Sequence, residues 1–548
     1  MKLQYPLTAL ILSLFIFAQS NAQNLLQVKK NEFVNQSEKS IQAYDKIKEA
    51  LSLYEKDFQN ASACLALLSE AYAINKENAE LNYNMGLCHL MSDSKDMARD
   101  YLIKAYQLNA NVSEDLFFLI GLAHQYEGNF LKAIKMFKQN IEIAIAAKGN
   151  KKREFIALCE KHISECKNAM LLTSQPVKQK LQALGGEINS NCNDLNPIES
   201  DDMLYFSSQR VGNKKVEKAY YSPMNTQKVK QLSLSFGKEM NQAIVSIPER
   251  KSYIFYSGLD GDGDVILVHK KAGKYLPTES LGFINEPSSR EASACIAGKE
   301  LYFVSNRKGG YGECDIYYCT KKQDGTWTEA RNMGRDINTQ YDEADVFVSP
   351  DGKELYFSSK GHNSMGGYDI FKCTRLGNGS WSIPENLGAG VNSAYHEIQY
   401  FKSKTGKEYL ASDRKGGMGG FDIYQIEEIM ETPIVENKTS EPENAMPQKI
   451  HGKEIHTYTQ ELIDEIVPEQ VYRVQILACK KEASAEQLYQ VYQGKSLIEH
   501  HEINGWHKYA IGKFNNYHDA ANFRDICGVE GAFVVLFRDG SQLKLSDL

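Results

Sequence analysis

The sequence predicts a multidomain protein with an α-helical solenoid, an all-β propeller of five or six blades, and a small α+β module at the C-terminal end. Three observations lead there. Five times between Leu204 and Ser412 an apolar-aromatic strand ending in Ser is followed by a Gly-rich turn and a third strand, which in the clearest copies opens Asp-Ile-Tyr or Asp-Ile-Phe. Ahead of that zone, small residues return every 34 or 35 positions within a helical pattern. Behind it, residues 470–548 alternate strand and helix.

Residues 1–22 have the layout of a secretory signal. Lys2 supplies the positive start, Leu7 to Phe17 the apolar core, and Ser20-Asn21-Ala22 a small-residue cleavage site. The apolar run is too short to span a bilayer comfortably, and no later segment approaches a transmembrane span. Gln23 rather than Cys follows the cleavage site, which argues against a lipid anchor. The expected product is an exported, periplasmic chain. A net charge of -7 spread along the sequence argues against a nucleic-acid partner, which would show a basic stripe. Eleven Cys is an odd count for an exported chain, and buried free thiols are the expected state. Cys319 and Cys373 form one candidate pair on equivalent strands, and no spacing resembles a zinc site.

In the helical zone Gly86 matches Gly121, Ala98 matches Ala133, and Leu102 matches Phe137. Cys64, Leu68 and Ala71 form an earlier copy of Ala98, Leu102 and Ala105. Small residues at this period belong where two helices cross closely. The pattern resembles tetratricopeptide repeats, three of them within residues 40–184, with Lys151 to Leu184 as a helical cap. Asn82, His89 and Ala110 stand where that family carries Trp, Tyr and Pro. The resemblance implies a short concave groove that takes a peptide or helix from a partner.

The propeller zone covers residues 185–430. Its clearest phrases are Leu301-Tyr302-Phe303-Val304-Ser305 with Asp315-Ile316-Tyr317, and Leu355-Tyr356-Phe357-Ser358 with Asp369-Ile370-Phe371. Trp327 and Trp381 lie 54 residues apart, as do Cys319 and Cys373. A repeat of short strands at this length suits blades, because one blade cannot bury both its faces alone. Asn189, Asn285, Asn338 and Asn392 open successive copies, and Arg210, Arg307 and Arg414 follow the strand-ending Ser. These features resemble the PD40 (TolB-like, WD40-related) repeats of bacterial envelope proteins. A recurrent Asp beside a Gly-rich turn is expected to accept backbone N–H groups and hold the turn, since an active site is needed only once. Asp260-Gly261-Asp262-Gly263-Asp264 begins like a calcium loop, but Lys271 stands where a bidentate Glu is required.

Residues 431–469 are rich in Glu, Lys, Asn and Thr, with Pro433, Pro442 and Pro447 among few apolar positions, and read as a flexible tether. The module at 470–548 reads strand, helix, strand, strand, helix, strand, with a hairpin about Asn504-Gly505. That order implies a ferredoxin-like antiparallel sheet with two helices on one face and the other face open. The words Tyr472-Arg473-Val474-Gln475-Ile476 and Gly505-Trp506-His507-Lys508-Tyr509-Ala510-Ile511-Gly512-Lys513-Phe514, with Ala520-Ala521, resemble a SPOR domain. That family binds peptidoglycan glycan strands lacking stem peptides. By the resemblance, Gln475, Trp506, Lys508 and Val535 fall where family members contact glycan. An aromatic ring stacks on the apolar face of a sugar, while amide and cationic groups bond its hydroxyl and acetamide oxygens. Leu477-Ala478-Cys479 and Lys513 depart from the family's Gly-Ser-Phe and Pro. His500, His501 and His507 lie on hairpin strands whose neighbours alternate in face, so they are not expected to converge on a metal.

No Gly-x-Ser-x-Gly elbow, His-Glu-x-x-His or isolated carboxylate pair stands out, so the sequence reading is a non-enzymatic chain with no catalytic residues, no metal and no cofactor. The order of parts resembles PorE-type envelope proteins of type IX secretion and gliding, which end in an OmpA-like rather than a SPOR-like module. The resemblance implies a periplasmic scaffold whose partners are peptidoglycan glycan strands and envelope or outer-membrane proteins. A propeller that senses a small ligand in its channel, or a peptidoglycan-processing enzyme, is the alternative.

Overall fold

The computed structural model describes residues 24–429 and 470–543, apart from 35–36, 147–151, 211–215, 227, 235, 237–239, 260–261, 279–280, 495–497, 504, 515–516 and 539–540. The expected signal, the tether, and Asn504 of the hairpin turn lie outside the described residues. The described chain divides into two compact units, one formed by 92–95 and 171–429, the other by 24–91, 96–170 and 470–543.

In the second unit, helices Glu38–Lys56, Ala79–Leu90 and Leu116–Tyr126 each pack against the helix that follows, Ala61–Ile74, Ala98–Leu108 and Phe130–Ala146. Ser37 and Asn78 cap their helices by accepting from the N–H groups of Ser40 and Leu81. The small residues sit where the periodicity puts them. A Cβ on Gly86 would stand 2.5 Å from Leu102 Cγ, and one on Gly121 would stand 2.6 Å from Phe137 Cε1. Leu102 and Phe137 are fully buried in the spaces those glycines leave. Asn82 is also buried, and its amide donates to the carbonyls of Lys76 and Asn78. Helix Lys152–Thr173 completes the array.

The first unit contains five four-stranded antiparallel sheets. Their first strands are Asp194–Ser200, Asn241–Glu249, Glu291–Ala297, Glu343–Val348 and Glu397–Lys402. Each touches the first strand of the next sheet, and the fifth touches the first, so the sheets close into a ring like the blades of a propeller. Between neighbouring sheets lie separate apolar layers, such as Tyr302, Val304, Val346 and Phe357 between blades three and four, and Phe206, Tyr220 and Ile423 between blades five and one. This is why the strands Leu-Tyr-Phe-Val-Ser are apolar on both faces: each face meets another blade.

Among the described residues the ring has five such sheets. One boundary differs from the sequence reading, which carries the helical cap to Leu184. Residues Gln179–Ala183 are instead a strand, paired antiparallel with Asp422–Glu428 as the outermost strand of the fifth blade. It closes the ring from the N-terminal side. Only Leu181 and Ala183 are apolar in it, too weak a pattern to stand out next to a 22-residue helix.

The repeated polar residues tie blade to blade. Asn338 Oδ1 accepts from Ile316 N and its Nδ2 donates to Ile316 O, so one side chain extends the third strand of the preceding blade. Asn392 does the same at Ile370, Asn285 at Val265 and Asn189 at Ile423. Asp315 accepts from Tyr311 N, Gly312 N and Asn332 Nδ2, and a Cβ on Gly310 would overlap its carboxylate. Asp369 and Asp422 hold equivalent turns through Met365 N and Met418 N. In blades one, three and five the Arg after the strand-ending Ser reaches the acid that opens the first strand: Arg210 meets Asp194, Arg307 meets Glu291 and Arg414 meets Glu397.

The C-terminal sheet has the strand order Ile498–Ile503, Trp506–Phe514, Gln470–Cys479, Phe533–Arg538, Ser541–Leu543. Helices Ala485–Val491 and Tyr517–Ile526 cover one face over Tyr472, Val474, Tyr509, Ile511 and Val534. Ser484 and Gln487 form a capping box at the first helix. The expected strand and helix order is present, with the short strand Ser541–Leu543 added at the edge.

Candidate functional site

Register decides which residues of the C-terminal sheet share a face. Gln475 lies opposite Ala510, Lys508 opposite Ala478, and Val535 opposite Arg473. Residues two apart on a strand point the same way, so Trp506, Lys508, Gln475 and Val535 all lie on the face away from the helices. Their accessibility differs. Trp506 is 39% exposed and Lys508 half-buried, whereas Gln475 and Val535 are only 5% and 2% exposed. The Lys480 ammonium stands 4.3 Å from the centre of the Trp506 ring. Of the three histidines, His500 and His507 stack, with Nε2 and Nδ1 3.0 Å apart, and His501 packs on Phe537. Among the described residues no group of His, Cys, Asp and Glu is arranged to hold a metal ion. All eleven cysteines, Cys319 and Cys373 included, are free thiols.

The ring encloses a second site that the motif reading passed over. A cavity of about 490 Å³ lies on its axis, lined by the first strands of all five blades and the turns that follow them. In three neighbouring blades the third residue of that strand has positive φ: Asn196 (54°), Asp345 (47°) and Gln399 (59°). Each sits in a bulge of the pairing with the second strand, and each lines the cavity. They are linked around the axis. Asn196 N donates to Gln399 Oε1 at 2.8 Å, and the Gln399 backbone N–H donates to the Asp345 carboxylate. Asn196 Nδ2 and Asp345 Oδ2 are left without a hydrogen-bond partner among the described residues.

Near Asp345 lies Glu217, which precedes the third strand of blade one and is fully buried. Neither of its carboxylate oxygens has a partner among the described residues. Burial pushes the Glu217 carboxyl up to about 8, and the charge of Asp345 adds to the rise. Burial likewise pushes Asp345 up to about 7, against the pull of the Gln399 N–H. A signal for this site exists in the repeat. The third position of the first strand reads Asn196, Ser293, Asp345 and Gln399 in four blades, a polar residue directly after the apolar Leu195, Ala292, Ala344 and Ile398.

No family model matches the chain, and no curated protein matches it. Among solved structures it is similar to a puromycin hydrolase, at 13% identity and a TM-score of 0.27 over 42% of this chain and 37% of that one. It is also similar to the GH43B protein of a Bacteroides ovatus xyloglucan locus, at 11% and 0.32 over 67% of this chain and 86% of that one. A third is the Penicillium chrysogenum α-L-arabinanase complexed with arabinobiose, at 10% and 0.26 over 45% and 85%. The chain spans about two fifths of the length of the puromycin hydrolases. These similar structures are enzymes, which runs against the expectation of a non-enzymatic chain. Identities and TM-scores this low assign neither a reaction nor a substrate to this chain.

Proposed function

We propose that the chain is a periplasmic binding protein of the bacterial envelope. In this reading its SPOR-like C-terminal module takes peptidoglycan glycan strands, while its tetratricopeptide-like hairpins and PD40-like propeller take envelope proteins. The order of modules supports a place in a PorE-type assembly of type IX secretion or gliding. The observation that carries the proposal is Trp506, a large aromatic ring left exposed on the helix-free face with Lys508 beside it on the same strand. An exposed indole offers an apolar plate for a sugar ring, and the ammonium groups of Lys480 and Lys508 supply donors for its oxygens. Gln475 is more enclosed than the family resemblance implies, so it is assigned to supporting that face rather than to first contact. Simultaneous binding at both ends would let modest affinities hold the chain in place.

The test is retention of the full chain on sacculi stripped of stem peptides. Wild type is expected to be retained, and Trp506→Ala to be retained at least about tenfold more weakly, a loss of roughly 1.4 kcal/mol or more. Equal retention of the two would remove this face from consideration.

A further inference from the structure

We propose that the first two helical hairpins hold residues 24–34 of the chain as an internal ligand, and that an extended apolar segment of a partner protein takes the same place when these residues leave. The contact is built on one side chain. Asn84, in helix Ala79–Leu90, is fully buried, and both its polar atoms go to Leu26. Its Oδ1 accepts from Leu26 N at 2.6 Å, and its Nδ2 donates to Leu26 O at 2.8 Å. The N–H and C=O of one residue point the same way only in extended backbone, as in the paired residues of an antiparallel ladder. The amide therefore reads a strand-like segment and does not fit a helix. Tyr44, in helix Glu38–Lys56, donates its hydroxyl to Val28 O at 3.2 Å, so the segment crosses both helices. Leu25 and Val28 are buried there, whereas Gln27 and Lys29 to Glu32 are exposed. Phe33 is buried beside the Tyr44 ring.

The amide is not part of the repeat. The equivalent places, 34 residues earlier and 35 later, hold Ala50 and Leu119. Helix crossing therefore does not require Asn84, and its bonds serve the segment. Capture through N–H and C=O is indifferent to sequence, so the choice of ligand falls to the two apolar side chains three positions apart. A replacement must carry the same chemistry: extended backbone with apolar residues at i and i+3. The hold on residues 24–34 is slight, since few of their side chains are buried, and such a segment opens at less cost than the helices beneath it. On the reading that these hairpins take envelope proteins, on which the inference rests, this is the kind of segment such a partner presents.

The test is fluorescence anisotropy of the full chain with a labelled peptide of the sequence of residues 24–34, standing in for the partner's segment. The double variant Leu25→Asp, Val28→Asp releases the internal segment. It is expected to bind the peptide at least about tenfold more tightly than wild type, whose site is occupied. The same peptide methylated on the Leu26 nitrogen lacks the donor to Asn84 Oδ1. It is expected to bind the same variant at least about tenfold more weakly, with nothing changed in the protein. Should the double variant fail to fold, hydrogen exchange of wild type gives a second reading, in which excess peptide speeds exchange at residues 25–28. No binding by the folded variant, equal binding by wild type, equal binding of the methylated peptide, or exchange that excess peptide leaves unchanged overturns the proposal. So does self-association of wild type by trading the segment between copies, which assigns the surface to a second copy instead. None of these measurements involves sacculi or Trp506, so peptide exchange and glycan retention fail separately.

Discussion

The turns of the blades and the axis of the ring both bury acids, and they treat them oppositely. In the turns, Asp315 accepts three hydrogen bonds, and Glu291, Glu397 and Asp194 each meet an arginine. Asp345, which lines the axial cavity, and Glu217, buried just before the third strand of blade one, occur once each and keep oxygens with no partner among the described residues. An acid that recurs in blade after blade belongs to the architecture and holds its turn by accepting backbone N–H groups, even where, as at Asp422, one oxygen has no hydrogen-bond partner among the described residues. Blade four sharpens the contrast. Gly361 stands where its neighbours carry Arg, and His362 Nε2 reaches the Ile337 carbonyl at 3.0 Å, as Arg307 reaches Ile284 O. Glu343 therefore lacks the guanidinium, and burial holds its carboxyl well above the usual range.

The comparison breaks most visibly by removing one acid of each kind. Asp315→Ala leaves two backbone N–H groups and the Asn332 amide without their buried acceptor. It should destabilise the propeller by about 3 kcal/mol or more, read by denaturant unfolding. Asp345→Asn should be neutral or stabilising in the same assay, since it replaces a carboxyl that burial already pushes toward its neutral form. A large loss from Asp345→Asn would make the two classes one.

A second effect, of order a few kcal/mol, separates the classes by pH. Glu217 and Asp345 hold their protons more tightly folded than unfolded, where ordinary values are 4.5 and 3.8. The stability of their buried neutral forms is complete below those ordinary values. It is lost as pH rises through about 7 for Asp345 and about 8 for Glu217. Glu343 acts in the same direction. Unfolding midpoints should therefore fall between about pH 5 and about pH 8, with a shallower fall in Glu217→Gln. An identical slope in the variant would show that Glu217 does not titrate there.

The smallest effect is expected at the C-terminal sheet. Trp506→Ala should change stability by about 1 kcal/mol or less, because the ring is only partly covered, at 39% exposure, and lies beside Lys480 rather than in the core. A larger loss would mean that Trp506 plugs the hairpin rather than offering a surface.

Much of this molecule could be read before it was seen folded. The spacing of Gly86 and Gly121 against Leu102 and Phe137 follows from the helical period, because close helix crossings need a missing Cβ. The blades follow from a repeated strand phrase, and the hairpin Ile498–Ile503 to Trp506–Phe514 follows from local turn chemistry. All of these signals are local or periodic. Ring closure by Gln179–Ala183 is neither, because its partner strand lies more than two hundred residues away. The axial site depends on single bulged residues whose positive φ turns them toward the axis, and only the assembled ring brings Asn196, Asp345, Gln399 and Glu217 near one another. Burial of Gln475 was equally out of reach, since alternation along a strand names its face but not what covers it. Sequence determined the elements and their repetition, through periodicity and turn chemistry. Tertiary structure alone decided which polar groups lost water and partners together, because desolvation belongs to the packed whole rather than to any segment of the chain.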